Sequence, residues 1–194
     1  MEFIFATNNP NKIHEISRAL HGDYTIRGLK DAGILIDIPE PHDTLEANAR
    51  EKAETIYNMT GKNCFSEDTG LEVDALNGAP GVRSARYAGE QSNSNDNIDK
   101  LLLELNESSN RQARFRTVIC MIIKGKEMFF EGICTGKIIR ERIGTEGFGY
   151  DPVFIPDGST KTFAQMDTVE KNTYSHRKKA LDKMISYLNS SHAR

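Results

Sequence analysis

The stretch "FSEDTGLEV" (residues 65–73) sets Glu67, Asp68 and Thr69 back to back among apolar neighbours in a run of strand-like composition. Taking a carboxylate out of water is costly unless a partner receives it. Two adjacent acids in a strand therefore call for nearby cations, or mark a surface turn. Successive side chains of a regular strand point to opposite faces, so Glu67 and Asp68 are expected to diverge unless Gly70 already bends the backbone. Residues 63–76 read as strands broken at Gly70. Upstream, a helix is expected over about 43–60, capped by Asp43 or Thr44, with Leu45, Ala49, Ala53, Ile56 and Tyr57 on its buried face. Downstream, "NGAPGVRSARYAGE" opens a long loop over 77–92.

The same alternation continues in both directions. Residues 2–6 predict a strand, Thr7 to Pro10 a turn, and Asn9 caps a helix with Pro10 at its first position and Ile13, Ile16 and Leu20 on one stripe. A third helix is expected over 95–106, burying Ile98, Leu101, Leu102 and Leu105. Residues 112–123 and 126–140 predict a hairpin joined at Lys124-Gly125-Lys126. "GTEGFGYDP" (144–152) is a glycine-rich loop, followed by short strands around 153–155 and 161–164. A final helix runs from Ser175 to about Leu188, burying Ala180, Leu181, Met184, Ile185 and Leu188. Helix-separated strands together with a long hairpin predict an α/β fold with a mixed sheet, in a single domain over 1–194.

Bulk properties narrow the function. The chain of 194 residues is long enough for a full core, and its 38% hydrophobic and 27% charged residues are ordinary for a globular protein. No apolar run reaches the ~20 residues that span a bilayer, and Glu2 stands where a signal peptide carries positive charge, so a cytoplasmic protein with no membrane partner is expected. Cys64, Cys120 and Cys134 are odd in number and widely spaced, and read as core residues. A formal net charge of −3 gives no basic field for gripping a nucleic-acid polymer.

Chemistry concentrates in four places. Helix N-termini attract anions and disfavour cations, yet Lys12 sits in the first turn after Thr7, Asn8, Asn9, Pro10 and Asn11. "YSHRKKAL" likewise opens the last helix with His176, Arg177, Lys178 and Lys179. A plain helix start with a solvated lysine accounts for either one alone. Two such openings suggest an anionic or carbonyl-bearing ligand. In "EGFGYDP", Phe148 or Tyr150 can stack on a nucleobase, or one aromatic can pack inward. No P-loop or dinucleotide fingerprint is present. Finally Glu40, Glu67 and Asp68 are oxygen donors of the kind that link Mg²⁺ to phosphates. Asp68-Thr69-Gly70 also matches the aspartic-protease triplet, which that chemistry requires twice.

Side by side, "TNNPNK" (7–12), "IPE" (38–40), "ANAREKA" (47–53), "SEDTGLEVDALNGAPGVRSARYAG" (66–89), "GFGYDPVF" (147–154) and "EKNTYSHRKKAL" (170–181) resemble the inosine triphosphate pyrophosphatase family, the dITP/XTP house-cleaning hydrolases. These motifs fall in family order and cover nearly the whole chain. The resemblance implies an elongated mixed sheet flanked by helices, two lobes around a central substrate cleft, and a homodimer. It implies Mg²⁺-dependent hydrolysis of aberrant purine nucleoside triphosphates (ITP, dITP, XTP) to the monophosphate and pyrophosphate. Carried over by position, Thr7 to Lys12 form a phosphate cradle assisted by Lys52. Glu40 and Asp68 hold metal, Asp68 also serves as proton acceptor, and Thr69 lies beside substrate. Phe148, Gly149, Tyr150, Asp151, Lys171, His176 and Arg177 receive the nucleoside. Glu67 replaces an aspartate of many members, which leaves it as a further candidate ligand. Pro41-His42 stands where Thr-Gly is common. A Maf-like pyrophosphatase acting on other modified nucleotides is the neighbouring alternative.

Overall fold

The computed structural model describes residues 1–19, 24–91 and 93–190. Strand β1 (Glu2–Phe5) leads to helix α1 (Pro10–Ala19), β2 (Thr25–Gly28), α2 (Leu45–Thr60), β3 (Cys64–Val73), β4 (Pro80–Gly81) and α3 (Ser94–Glu104). Then come β5 (Gln112–Ile123), β6 (Lys126–Ile138), β7 (Phe154–Pro156), α4 (Thr168–Tyr174) and α5 (His176–Asn189). The strands form one sheet in the order β2-β1-β3-β5-β6-β7, with β4 added beside β3. β1 runs parallel to both β2 and β3, whereas β3–β4 and β6–β7 are antiparallel. The sheet is therefore mixed and the fold α/β, as the alternating pattern predicts.

The chain divides into two compact units, neither of them one continuous stretch. The first comprises Met1–Asp68, Thr117–Gly132 and Arg177–Arg194; the second comprises Thr69–Arg116 and Ile133–His176. The division falls within β3, β5 and β6. In the first unit Phe3, Phe5, Ile16, Phe65, Ile119, Met121, Leu181 and Met184 form the core, with Phe5 and Phe65 stacked at 4.5 Å. In the second, Leu71, Ile98, Leu101, Phe115, Phe154 and Phe163 do the same, with Phe115 set edge-on to Phe154 at 4.7 Å. Side chains such as these each contribute about 1.5–3 kcal/mol on burial. All three cysteines are free and buried. Burial pushes the Cys64 thiol up to about 12, so it stays protonated and inert. No helix among the described residues is long and apolar enough to cross a membrane.

Several local expectations need correction. β3 is continuous through Gly70. A Cβ at that position would lie 2.5 Å from the Gly81 carbonyl oxygen, so the glycine admits the backbone of β4 and does not break the strand. Residues 161–164 form no strand. Thr162 and Gln165 cap one another around a single 3-10 turn at Phe163–Gln165. The last helix does begin next to Ser175, but α4 precedes it, capped by Asp167, which accepts from the Glu170 N–H at 2.8 Å. β2 pairs with β1 although its sequence, TIRG, carries little strand signal. Leu20 of the first helical stripe lies outside the described residues.

Candidate active site

In the first unit the site begins where β1 ends. Thr7 Oγ1 accepts from the Asn9 N–H at 3.1 Å. Asn9 Oδ1 in turn accepts from the N–H groups of Asn11 at 2.9 Å and Lys12 at 3.3 Å, the N-cap anticipated for α1. Asn8 donates to the Ile36 carbonyl at 3.0 Å. Pro10 and Asn11 are exposed, and Lys12 follows in the first turn. Thr44 caps α2. One turn further on, the buried Asn48 accepts from the His42 N–H at 2.9 Å and donates to its carbonyl at 3.1 Å. This two-way clamp folds the segment bearing Glu40 back onto α2, and so fixes the backbone after Pro41.

One turn beyond Asn48, Lys52 reaches both acids. Its Nζ lies 3.3 Å from Asp68 Oδ1 and also donates to Glu40 Oε1. The Ser66 hydroxyl donates to the Ala49 carbonyl, so positions 66 and 68 both face α2. Glu67 looks the other way, as strand alternation requires. Arg177, at the start of α5, grips it through Nε (2.8 Å to Oε2) and Nη2 (2.8 Å to Oε1). Lys12 Nζ lies 3.2 Å from the same Oε1. Arg177 Nη1 donates to Glu15, one turn beyond Lys12 on α1. The two acids of "SEDTG" thus meet separate cations.

Electrostatics distinguish the neighbours. Burial works to raise the Glu67 carboxyl, but Arg177 and Lys12 beside it hold it well below the usual carboxylate range. Asp68 moves the opposite way. Burial pushes it up and Glu40 adds to this, against the pull of Lys52 and Lys12. Burial also works to lower the Lys52 ammonium, yet Asp68 and Glu40 raise it, so it remains charged.

In the second unit, Gly147, Phe148, Gly149 and Tyr150 turn tightly into Asp151. Gly147 has φ +75°, and a Cβ there would collide with the Asp151 carboxylate at 2.0 Å. Asp151 Oδ2 accepts from the Phe148 N–H at 2.9 Å and from Lys171 Nζ at 2.7 Å. That ammonium lies 5.3 Å from the centre of the Phe148 ring. Tyr150 packs inward, donating its hydroxyl to the Ser84 carbonyl at 2.8 Å. Of the loop's two aromatics, Phe148 is therefore the one left half-buried. His176 stacks on Phe115 at 4.7 Å, and Thr69 is half-buried on β3.

The first unit thus brings together Thr7 to Lys12, Glu40, Lys52, Glu67, Asp68 and Arg177. The second brings together Phe148 to Asp151 with Lys171. Glu15 and Asn48 were not anticipated. The signal for Glu15 is its spacing of three from Lys12, which places both on one helix face. Asn48 offers none beyond being polar on a buried helical stripe.

The donor set fits a divalent cation at Glu40 and Asp68. Asp68 Oδ2 is buried and accepts no hydrogen bond from any described residue, and one ammonium cannot neutralise two carboxylates. No group of three His, Cys, Asp or Glu side chains among the described residues forms a metal cage. Mg²⁺ needs none, because it is held by one or two carboxylates together with substrate phosphates. Glu67 fits poorly as a ligand, since Arg177 and Lys12 already occupy its oxygens. The ammonium between Glu40 and Asp68 is also unlike a protease dyad, in which two carboxyls share a proton.

A family model described as the Ham1 family matches residues 3–187. A Flavobacterium psychrophilum protein named dITP/XTP pyrophosphatase is 51% identical over 187 residues, spanning 96% of this chain and 98% of its own. Among solved structures, the Staphylococcus aureus Ham1 protein superposes with a TM-score of 0.88 at 37% identity, covering 97% of this chain and 98% of that one. A HAM1 protein from Coxiella burnetii gives 0.89 at 34% identity, with the same coverage.

Proposed function

This chain belongs to the Ham1 family, and from that premise we propose that it is a dITP/XTP pyrophosphatase that clears aberrant purine nucleoside triphosphates. It cleaves ITP, dITP and XTP to the monophosphate and pyrophosphate, in a Mg²⁺-dependent reaction. The observation that carries this reading is the convergence of Glu40 and Asp68 on Lys52, with Asp68 Oδ2 left to accept a further partner.

The roles follow from the groups present. Glu40 and Asp68 would hold Mg²⁺, which supplies positive charge to the phosphates when bound. Lys12 and Lys52 bind phosphate oxygens and stabilise the charge that grows on them as water attacks the α-phosphorus. The capped turn from Thr7 to Asn11 keeps Lys12 at the opening of α1. Asp68 orients the attacking water and accepts its proton. An ordinary Asp is about three units too acidic for efficient proton abstraction at neutral pH, and burial beside Glu40 moves Asp68 in the useful direction.

Phe148 stacks on the base, in an interaction worth about 1–3 kcal/mol, while Tyr150 anchors the loop from inside. Asp151 holds Lys171 and the Phe148 amide, and Lys171 and Arg177 present donors. Hypoxanthine and xanthine carry a carbonyl at position 6 where adenine carries an amino group, so donors at that point favour the former.

The test is to incubate the protein with dITP, XTP, ITP and the four standard triphosphates, with Mg²⁺ and with EDTA, measuring pyrophosphate and orthophosphate separately. Pyrophosphate released from dITP and XTP only when Mg²⁺ is present is the expected result. Orthophosphate alone, or equal turnover of ATP, would overturn the reading.

A further inference from the structure

Both helix-opening cations reach the same carboxylate. Lys12 Nζ, from α1, lies 3.2 Å from Glu67 Oε1. Arg177, from α5, forks onto both oxygens through Nε and Nη2. A guanidinium gripped along that edge has its plane fixed, and here Nη1 is turned towards Glu15. The Glu67 side chain has no exposed surface. No solvent therefore competes for its oxygens, and in so dry a setting charged hydrogen bonds hold their geometry firmly. β3 thereby ties the opening of α1 to the opening of α5 through one residue.

We propose that Glu67 is a positioning residue for the pyrophosphatase reaction, setting through Lys12 and Arg177 the phosphate-binding and the base-selecting donors together. This rests on the function proposed above and assigns Glu67 a role different from that of adjacent Asp68. A metal ligand at position 67 would affect cation binding. A purely structural residue would reduce the amount of active enzyme and treat all substrates alike. A positioning residue changes the preference between substrates, because the plane of Arg177 is what it holds.

The experiment compares wild type with Glu67→Gln and Glu67→Asp, each shown to be folded by circular dichroism. Steady-state kcat and KM are measured for dITP and dATP, and Mn²⁺ binding to the nucleotide-free protein is followed by electron paramagnetic resonance. In Glu67→Gln, kcat for dITP is expected to fall by about 10²-fold, and the dITP-to-dATP ratio of kcat/KM by about tenfold or more. Mn²⁺ affinity is expected to stay within about threefold of wild type, and Glu67→Asp to recover part of both losses. Should Glu67→Gln not fold, Glu67→Asp carries the same measurements with smaller expected changes. An unchanged substrate ratio in a folded variant, or Mn²⁺ binding weakened beyond that threefold, would overturn the positioning role. Wild-type protein that hydrolyses neither dITP nor XTP would instead overturn the function.

Discussion

Replacing Lys52 by Met tests the electrostatics of the site without reference to substrate. The change keeps chain length and removes the charge. At 3.3 Å from Asp68 Oδ1 and an effective dielectric of about 20, the attraction lost is about 5 kcal/mol. Glu40 adds to it, and recovered desolvation of the buried ammonium offsets part, so a net loss of about 3–5 kcal/mol is expected. Against a typical total of about 5–15 kcal/mol, the variant should fold but be markedly weakened. The pH dependence has a definite sign. Burial and Glu40 already raise the Asp68 carboxyl, and without Lys52 only Lys12 and the Asn48 side chain remain to pull it back. The folded variant then holds a proton at pH values where the unfolded chain, with an Asp near 3.9, does not. Between those two pKa values the folded state binds more protons, so stability rises as pH falls, by up to about 1.4 kcal/mol per unit. Urea unfolding in EDTA at pH 7.5 and 5.5 is the assay, followed by far-UV circular dichroism because the chain has no tryptophan. The deficit should be larger at pH 7.5. A deficit below about 1 kcal/mol, or one that grows on acidification, would refute the argument.

Asp68→Asn should lower kcat for dITP by about 10²–10⁴-fold while leaving nucleotide binding nearly intact, as read by calorimetry; retained turnover would remove Asp68 from proton transfer. Gly70→Ala should cost about 1–3 kcal/mol in urea unfolding, because the added methyl meets the Gly81 carbonyl, and an unchanged midpoint would contradict that contact. Glu67, held below its unfolded value, contributes stability that is present above about pH 4.5 and is lost as pH falls further. The urea midpoint of wild type should therefore fall more steeply between about pH 5 and pH 3 than that of Glu67→Gln, and parallel profiles would argue against it.

Much of the fold was legible because its signals are local. The Asn9-Pro10 helix start, the stripes of α2 and α3, and the β5–β6 turn at Lys124 and Gly125 each lie within a few residues of one another. β2 was not legible, since its pairing with β1 spans distant residues and TIRG has almost no pattern. α4 was missed although Asp167 and Glu170 have cap spacing, because its seven residues, TVEKNTY, carry no apolar stripe. At the site, Lys12 and Arg177 stand out as cations at the wrong ends of helices, which pointed to an external anion. In the fold, Glu67 supplies one from 55 and 110 residues away respectively. Sequence distance hid the pairing, and strand alternation explains how the adjacent acids came to serve different cations.

The separation of 110 residues between Glu67 and Arg177 also bears on synthesis. While the ribosome is still adding the second unit, β3 already exists and the guanidinium that must neutralise Glu67 does not. A buried carboxylate without its strongest partner is disfavoured by several kcal/mol, so the nascent first unit keeps that acid in water. The first unit can therefore bury Glu67 only after α5 emerges, once every residue of the second unit has been made.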